Sequence, residues 1–305
     1  MKIKNSSLTT LAVFALIAIN LSFAVKAGQP KKSFVVFDSI KYPDKGNLSV
    51  YGLKSYTIFY RVHLWPKKIL RKERKPAAPA SDKYIAAIVK KIPSTKSPAI
   101  FDIEHWPLDI RKGVKSAADD DIASANAKKV TASMNKMIHI ISVAKKTNPN
   151  LKYGYYSCIP LRDYWSAVRN DPKRMKAWQK ANDYLKPLAD SVDVLCPSLY
   201  AFYPDRDKWV RYAKANIAEA KRLAKGKPVY AYLWPKYHNS NKKDGKSFIE
   251  GDFWKLQLET VYNSGIDGVI IWDSRRVVNN KKDSTWDPNR AWWKETVSFV
   301  KRIKK

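Results

Sequence analysis

Two carboxylates separated by one residue stand at the end of a short apolar segment. Ala99 to Ile103 is an apolar run behind a proline, which is typical of a strand buried on both faces. Because side chains alternate along a strand, Asp102 and Glu104 share one face with Ile100. A site that needs one protonated and one ionised carboxyl group is built from such a pair. The tripeptide Asp-x-Glu also occurs at ordinary solvated strand ends. The rest of the chain has to decide between a catalytic pair and such a strand end.

Residues 1–27 have the features of a targeting segment. Lys2 and Lys4 form a basic start, the following stretch is apolar, and the small residues around Ala27 suit signal cleavage. A retained membrane anchor is the alternative, because the apolar stretch is nearly long enough to span a bilayer. We expect cleavage and export, either to a periplasm or to the cell exterior, and no stable membrane insertion afterwards.

The composition is strongly basic. The chain holds 58 lysines and arginines against 27 aspartates and glutamates, a formal net charge of +31. Such a charge attracts polyanions, among them acidic polysaccharides, nucleic acids and an anionic envelope. No nucleic-acid recognition motif accompanies the lysines, so we expect a polyanionic polysaccharide as the partner and no nucleic acid. A basic surface that is merely solvated is the plainer alternative.

The sequence offers no pattern for a metal or a cofactor. Its four histidines are isolated from one another and from the two cysteines, and glycine-rich phosphate loops are absent. We therefore expect neither a metal nor a cofactor. Cys158 and Cys196 could pair in an exported protein or remain as buried thiols, and the sequence does not choose between these states. It leaves the oligomeric state open as well.

Apolar segments that suit buried strands alternate with amphipathic segments that suit helices. We predict strands at Phe34–Phe37, Tyr56–Val62, Ala99–Ile103, Tyr153–Ser157, Val194–Tyr200, Val229–Leu233 and Val269–Trp272. We predict helices at Asp82–Lys91, Ala125–Thr147, Pro172–Ala189, Asp205–Ala224, Gly251–Tyr262 and Asn289–Arg302. This alternation, without a dinucleotide fingerprint, favours a closed parallel barrel. We expect one α/β domain over 28–305, a TIM-like (β/α)7 barrel, with an exposed basic loop at 66–80.

Aromatic and polar residues collect where the predicted strands end. In a parallel barrel these ends meet on one face, and that face carries the chemistry. The candidate site residues are Tyr60, Asp102, Glu104, Tyr156, Tyr200, Tyr232, Trp234, Trp272 and Asp273. Any one aromatic residue at a strand end is most often part of the core, but six strands converge here. Flat rings around two carboxylates suit a cleft that binds sugars.

Five segments in order resemble the hyaluronidase family of glycoside hydrolases. Ala99 to Pro107, AIFDIEHWP, resembles the strand that carries the family's acid, and Tyr153 to Tyr156 resembles its W-G-Y-Y strand. Asp193 to Tyr200, DVLCPSLY, is similar to D-V-L-x-P-S-x-Y, and Asp267 to Ser274 is similar to D-G-x-x-I-W-G-S. Pro228 to Tyr237 matches an aromatic-rich strand between them. The resemblance covers most of the chain after residue 27.

The resemblance implies retaining, substrate-assisted hydrolysis of a β-linked N-acetylhexosaminide. Glu104 would be the acid and then the base, and the nucleophile would be the acetamido oxygen of the substrate, which is an exception to the two-carboxylate scheme. Asp102 would orient and stabilise the acetamido group. The resemblance also assigns substrate contacts, with Tyr156 and Tyr200 as hydrogen-bond donors, Trp272 as the pocket wall and Tyr60 as a further contact.

Several positions depart from the family pattern. Asp273 replaces the glycine of the W-G-S ending, Arg61 stands where an acidic residue is frequent, and Pro235-Lys236 replaces a polar contact. These changes leave the mechanism intact and bear on the substrate, which we expect to be an acidic polymer of the hyaluronan or chondroitin type. Peptidoglycan or another envelope glycan is the neighbouring alternative. A catalytically silent glycan-binding barrel is the alternative from a different class.

Overall fold

The computed structural model describes residues 33–114, 120–275 and 285–304. The predicted targeting segment at 1–27 lies outside these ranges. Strands in the described part are β1 (Val35–Lys41), β2 (Thr57–Tyr60), β3 (Ala99–Asp102), β4 (Tyr153–Tyr155), β5 (Tyr230–Leu233) and β6 (Gly268–Ser274). Every pairing between these strands is parallel. Each is short and its residues are largely buried, as expected for strands covered on both faces.

The strands close into a ring. β2, β3 and β4 form one run and β5, β6 and β1 form another. Lys54, just before β2, joins the two runs, because its amide donates to the Val36 carbonyl at 2.8 Å and its carbonyl accepts from the Asp38 amide at 2.9 Å. The segment 193–198 joins them on the other side through parallel bridges to Tyr156 and Tyr232. The ring therefore has seven positions, and the predicted TIM-like barrel is confirmed.

The seventh position of the ring is not the regular strand that was predicted there. Val194–Tyr200 forms isolated bridges rather than a continuous strand. Pro197 lies in its middle and has no N–H to donate to a ladder. The neighbouring carbonyls are still used, since Leu195 and Pro197 accept from the amides of Tyr230 and Tyr232. The segment thus occupies a strand position without a regular ladder.

Helices cover the outside of the barrel. The described helices are α1 (Arg61–Leu64), α2 (Lys67–Lys72), α3 (Asp82–Val89), α4 (Asp120–Thr147), α5 (Trp165–Val168), α6 (Pro172–Tyr184), α7 (Lys186–Ser191), α8 (Arg206–Ala224), α9 (Gly251–Asn263) and α10 (Ala291–Ile303). In α8 the N-cap Asp205 accepts a hydrogen bond from the amide of Lys208, as its capping role requires. No helix in the described ranges is both long and apolar enough to cross a bilayer.

Three further predicted segments differ from the structure, and one of them is the strand predicted at Tyr56–Val62, which ends at Tyr60 where α1 begins. The helix predicted at Pro172–Ala189 is two helices, α6 and α7, because Pro187 in the first turn of α7 cannot continue α6. The basic stretch predicted as a loop at 66–80 contains α2 and then an irregular segment. That segment is held against the barrel, since Trp65 Nε1 and Trp106 Nε1 donate to the carbonyls of Ala78 and Pro76. The stretch is therefore docked rather than a free insertion.

The core has two layers separated by the strands. The inner layer fills the barrel with Phe37, Tyr56, Ile100, Tyr156, Val194, Cys196, Tyr200, Tyr232, Trp234 and Ile270. The outer layer lies between strands and helices and includes Ala99 and Phe101, the neighbours of Ile100 on β3. Alternation along β3 thus points Ile100, and Asp102 after it, into the barrel. Gly154 is required in the interior, because a Cβ there would lie 2.6 Å from Val194 Cγ2.

Candidate active site

Asp102 and Glu104 lie at the carboxyl end of β3, at the mouth of the barrel. Asp102 is the last residue of the strand and is half-buried, while Glu104 follows in the loop and is exposed. Both line a pocket of about 630 Å³ together with Lys41, Tyr60, Arg61, Val62, Lys75, His105, Trp272 and Ser274. Within the described residues Glu104 forms no hydrogen bond or ion pair, so its carboxyl group is free to meet a ligand.

Trp272 on β6 forms a wall of this pocket. Its Nε1 donates to the hydroxyl of Tyr60 at 3.0 Å, which links the ends of β6 and β2 across the mouth of the barrel. Its ring is stacked on that of Tyr200, with centroids 6.0 Å apart and an interplanar angle of 25°. The edge of Trp234 packs on its ring at 5.0 Å. The structure thus brings Tyr60 and Trp272 together at the pocket, as their positions at strand ends predicted.

Tyr156 and Tyr200 lie below the mouth, in the inner core, and do not belong to the pocket lining. Tyr156 donates to Ser198 Oγ at 3.3 Å, and its ring lies 6.1 Å from that of Tyr200. Burial raises the pKa of Tyr156 to about 12, and the negative charge of Glu104 acts in the same direction. Burial also raises the pKa of Tyr200. Both phenols therefore stay protonated at neutral pH and can act as hydrogen-bond donors.

Tyr232 lies deeper and does not line the pocket. It is 1 % exposed, and its hydroxyl lies 3.0 Å from the hydroxyl of Tyr56. Its ring meets Tyr156 edge to face at 4.8 Å. The predicted substrate contact through Tyr232 is therefore corrected to a packing role, because alternation along β5 turns this side chain into the filled barrel.

Asp273 and Trp234, both predicted as substrate contacts, belong to a buried polar cluster. Asp273 is fully buried, and its Oδ1 accepts from Trp234 Nε1 and from Lys236 Nζ, each at 3.0 Å. Its Oδ2 accepts from the hydroxyl of Tyr42 at 3.0 Å. Burial raises the pKa of Asp273, and the contacts from Lys236 and Trp234 oppose that effect. The carboxylate is thus engaged within the protein, which corrects the prediction of a substrate contact through Asp273.

Lys236 is the partner that the sequence reasoning missed. It is 1 % exposed and pairs with Asp273 across the ends of β5 and β6. The sequence did contain a signal for this pairing. Lys236 and Asp273 are two departures from the same family pattern, and each lies at the end of a strand. A buried carboxylate needs a counter-charge, so each departure explains the other.

Cations surround the mouth of the pocket. Lys41, Arg61, Lys75 and His105 contribute to its lining, and only Arg61 was singled out from the sequence. Arg61 Nε and Ser274 Oγ are buried there without a hydrogen-bond partner in the described part of the chain. Burial lowers the pKa of His105 and so favours its neutral form, which leaves Lys41, Arg61 and Lys75 as the cations of the lining. The pocket therefore offers positive charge to a ligand with acidic groups.

The described ranges hold no cluster of three or more histidine, cysteine or acidic residues that could bind a metal. Cys158 and Cys196 are both buried and unpaired in this structure. Burial raises the pKa of each thiol. They behave as small apolar core residues.

Comparison with known proteins gives relatives of one kind. The chain is 28 % identical over 155 residues to a hyaluronidase of Loxosceles intermedia, a match that spans 49 % of this chain and 38 % of the relative. It is 32 % identical over 149 residues to a hyaluronidase of Polybia paulista, spanning 47 % of this chain and 50 % of the relative. The matched part is half of these relatives' length or less. No family model matches the chain.

The fold has a solved counterpart. Bee venom hyaluronidase in complex with a hyaluronic acid tetramer superposes with a TM-score of 0.62 at 17 % identity, covering 88 % of this chain and 96 % of that one. The monoclinic crystal structure of the same enzyme superposes with a TM-score of 0.61 at 18 % identity, covering 89 % of this chain and 100 % of that one. The resemblance inferred from the motifs is therefore confirmed: the chain is similar in sequence to hyaluronidases over about half of its length and has their barrel fold.

Proposed function

We propose that this protein is an exported glycoside hydrolase that cleaves β-linked N-acetylhexosaminides in an acidic polymer of the hyaluronan or chondroitin type. The observation that carries the proposal is the pair Asp102 and Glu104 at the carboxyl end of β3, in a pocket walled by Trp272 and rimmed by cations. The similarity to hyaluronidases supports the same reaction class. Active sites of this barrel type lie at that end of the strands.

Glu104 acts first as the general acid. Its proton passes to the glycosidic oxygen while the bond from that oxygen to the anomeric carbon breaks. The acetamido carbonyl oxygen of the same sugar attacks the anomeric carbon and closes a cyclic oxazolinium intermediate. Glu104, now a carboxylate, takes a proton from a water molecule that opens this ring. Two displacements at one carbon leave the product with retained β configuration.

Asp102 stabilises the positive charge that develops on the cyclising acetamido group. It is half-buried at the strand end, where a carboxylate interacts more strongly with a nearby charge than it would in bulk water. Tyr156 and Tyr200, protonated at neutral pH, are the donors proposed for the acetamido oxygen, with Tyr156 giving up its long hydrogen bond to Ser198. Trp272 supplies an apolar wall and Tyr60 is held beside it. The two carboxyl groups thus have different roles in one reaction.

The basic rim supports an acidic substrate. Lys41, Arg61 and Lys75 contribute cationic side chains to the pocket. Asp273, which would repel a uronate if it were free, is buried and paired with Lys236. The crystal structure of bee venom hyaluronidase contains a hyaluronic acid tetramer, which is a ligand of the same chemical class.

The test is an assay of released reducing ends on hyaluronan, chondroitin, chitin oligomers and peptidoglycan. We expect turnover of hyaluronan or chondroitin with retained β configuration. Glu104→Gln keeps the size of the side chain but has no proton to donate, so turnover should fall by about 10²–10⁴-fold while glycan binding survives. The matched control is Glu73→Gln, because Glu73 is also acidic but lies in the basic stretch outside the pocket lining.

Four outcomes would contradict the proposal. Inverted products or full activity in Glu104→Gln would overturn the mechanism. Turnover confined to peptidoglycan would replace the substrate with an envelope glycan. Binding without turnover of any polymer by the wild-type chain would identify a silent glycan-binding barrel.

A further inference from the structure

Trp165 and Tyr203 form an exposed aromatic pair outside the pocket lining. All eleven tryptophans lie in the described ranges, and Trp165 alone among them is exposed, at 45 %. Tyr203 is 41 % exposed, and the two ring centroids lie 5.8 Å apart at an angle of 48°. Because the two rings adjoin, they present one contiguous apolar surface, unlike the single apolar residues that are scattered over most protein surfaces.

The pair stands on the same face of the barrel as the pocket. Trp165 is in the connection after β4, and Tyr203 follows the bridged segment 193–198, so both are in connections that leave the carboxyl ends of strand positions. A series of ring contacts joins the pair to the pocket wall. The series runs from Trp272 through Tyr200, His238 and Phe202 to Tyr164. The centroids of successive rings lie 6.0, 6.5, 4.9 and 5.7 Å apart, in that order. Tyr164 contacts both exposed rings, at 5.1 and 5.5 Å.

The connections that carry the pair are held in place by hydrogen bonds. The Asp163 carboxylate accepts from the amide and the hydroxyl of Ser166 and from Arg111, all within 2.9 Å. On the other connection, Asn241 Nδ2 donates to the carbonyl of Phe202 at 2.9 Å. These bonds fix the two rings in their exposed positions, so a ligand would find the surface already formed.

Two arginines stand beside the pair, and the carboxylate of Asp205, two residues after Tyr203, is paired with Lys208 at 2.6 Å. The guanidinium of Arg169 lies 5.1 Å from the centre of the Trp165 ring, and that of Arg162 lies 5.2 Å from the Phe202 ring. The nearest carboxylate on the same connection, Asp163, is neutralised by Arg111 at 2.8 Å. The hydroxyl of Tyr164, buried beneath the rings, has no hydrogen-bond partner within the described residues. Flat rings beside exposed arginines suit a sugar chain that carries carboxylates.

We propose that Trp165 and Tyr203, flanked by Arg162 and Arg169, form a distal subsite that binds an acidic polysaccharide chain as it leaves the pocket. The proposal rests on the proposed function, since it places the same polymer along one face of the barrel. Sugar units beyond those at Asp102 and Glu104 cross the face of the barrel above the buried ring series and stack on the exposed pair. Their carboxylates pair with the two arginines. The subsite thus makes affinity depend on chain length.

The test measures the binding of hyaluronan oligosaccharides by calorimetry in a Glu104→Gln background, which removes turnover. Trp165→Ala should weaken the binding of long oligosaccharides about tenfold, equivalent to about 1.4 kcal/mol, and leave tetrasaccharide binding unchanged. Tyr203→Ala should act in the same way, and Arg169→Gln should reduce the salt dependence of long-chain binding. Tyr51→Ala is the matched control, because Tyr51 is also 41 % exposed but packs on Trp293 of α10.

Circular dichroism first establishes that each variant is folded. If Trp165→Ala does not fold, Tyr203→Ala is used in its place to test the subsite. Unchanged affinity of the folded variants for long oligosaccharides would overturn the subsite, as would an equal loss for the tetrasaccharide. If no oligosaccharide of any length binds, both the subsite and the proposed substrate are wrong. Length-dependent binding by a wild-type chain that does not hydrolyse the polymer would retain the subsite and refute the enzyme.

Discussion

At the scale of single residues, the shape of the pocket depends on Trp272. Its indole ring stacks on Tyr200 and meets the edge of Trp234, while its Nε1 holds the Tyr60 hydroxyl at 3.0 Å. One side chain therefore supplies both an apolar wall and the hydrogen bond that positions a second pocket residue. These two contributions can be separated, because phenylalanine keeps a ring but has no N–H.

We expect Trp272→Ala to weaken glycan binding and turnover together, since it removes the wall and admits water to the pocket. Replacing a buried tryptophan with alanine costs roughly 3–5 kcal/mol of folding free energy, less for a half-buried one such as this, so thermal unfolding is measured first. Trp272→Phe should retain most of the stability and lose only the contact with Tyr60. Kinetics of a folded Trp272→Ala protein that match wild type would make Trp272 a core residue without a role in binding.

At the scale of secondary structure elements, a buried ion pair joins β5 to β6 beneath the pocket. Lys236 lies just beyond the end of β5 and Asp273 lies near the end of β6, and both are 1 % exposed or less. Asp273 also accepts from Trp234, whose ring supports Trp272. The ion pair thus helps to hold Trp234, which packs behind Trp272. Removing one charge of the pair leaves the other buried without its partner.

We expect Asp273→Asn to destabilise the fold by about 3–5 kcal/mol, because Lys236 is then a buried charge without its counter-ion. Lys236→Met should lower the free energy of unfolding by a similar amount, because Asp273 is then the buried charge without its counter-ion. The double variant should lose less than the sum of the two, since it buries neither charge. Urea unfolding of the four proteins measures this coupling. Additive losses would mean that the two residues do not interact energetically.

At the scale of the whole molecule, we expect the net charge to affect how the protein meets an acidic polysaccharide. The formal net charge of the whole chain is +31, or +28 without the three lysines of residues 1–27, and cations line the pocket and stand beside the aromatic pair Trp165 and Tyr203. Opposite charge on a polymer speeds encounter and adds affinity through counter-ion release. A neutral glycan of the same length would gain neither effect.

We expect the apparent affinity for hyaluronan to fall steeply between low salt and about 0.2 M salt, where the screening length shortens to under about 10 Å. The affinity for uncharged chitin oligomers, measured alongside, should change little. Fluorescence anisotropy of end-labelled oligosaccharides gives both slopes. Equal slopes for the acidic and the neutral glycan would remove charge from the recognition of substrate.

Much of the barrel was predictable from local patterns. Apolar runs indicated all seven strand positions, because strands covered on both faces are apolar throughout. The errors arose where one residue overrides the run around it, as Pro197 does in the seventh strand position and Pro187 does between α6 and α7. The position of Asp102 and Glu104 at a strand end was predictable for the same reason.

The sequence by itself determined the barrel class, the acidic pair on β3 and the aromatic strand ends, because these follow from periodicity and from motifs that are local in the chain. Only the tertiary structure decided which strand-end residues face the pocket. It buried Tyr232 and Asp273, paired Asp273 with Lys236, and added Lys41 and Lys75 to the lining. The physical reason is that burial and charge pairing depend on contacts between elements that are distant in sequence, and a local pattern does not contain them.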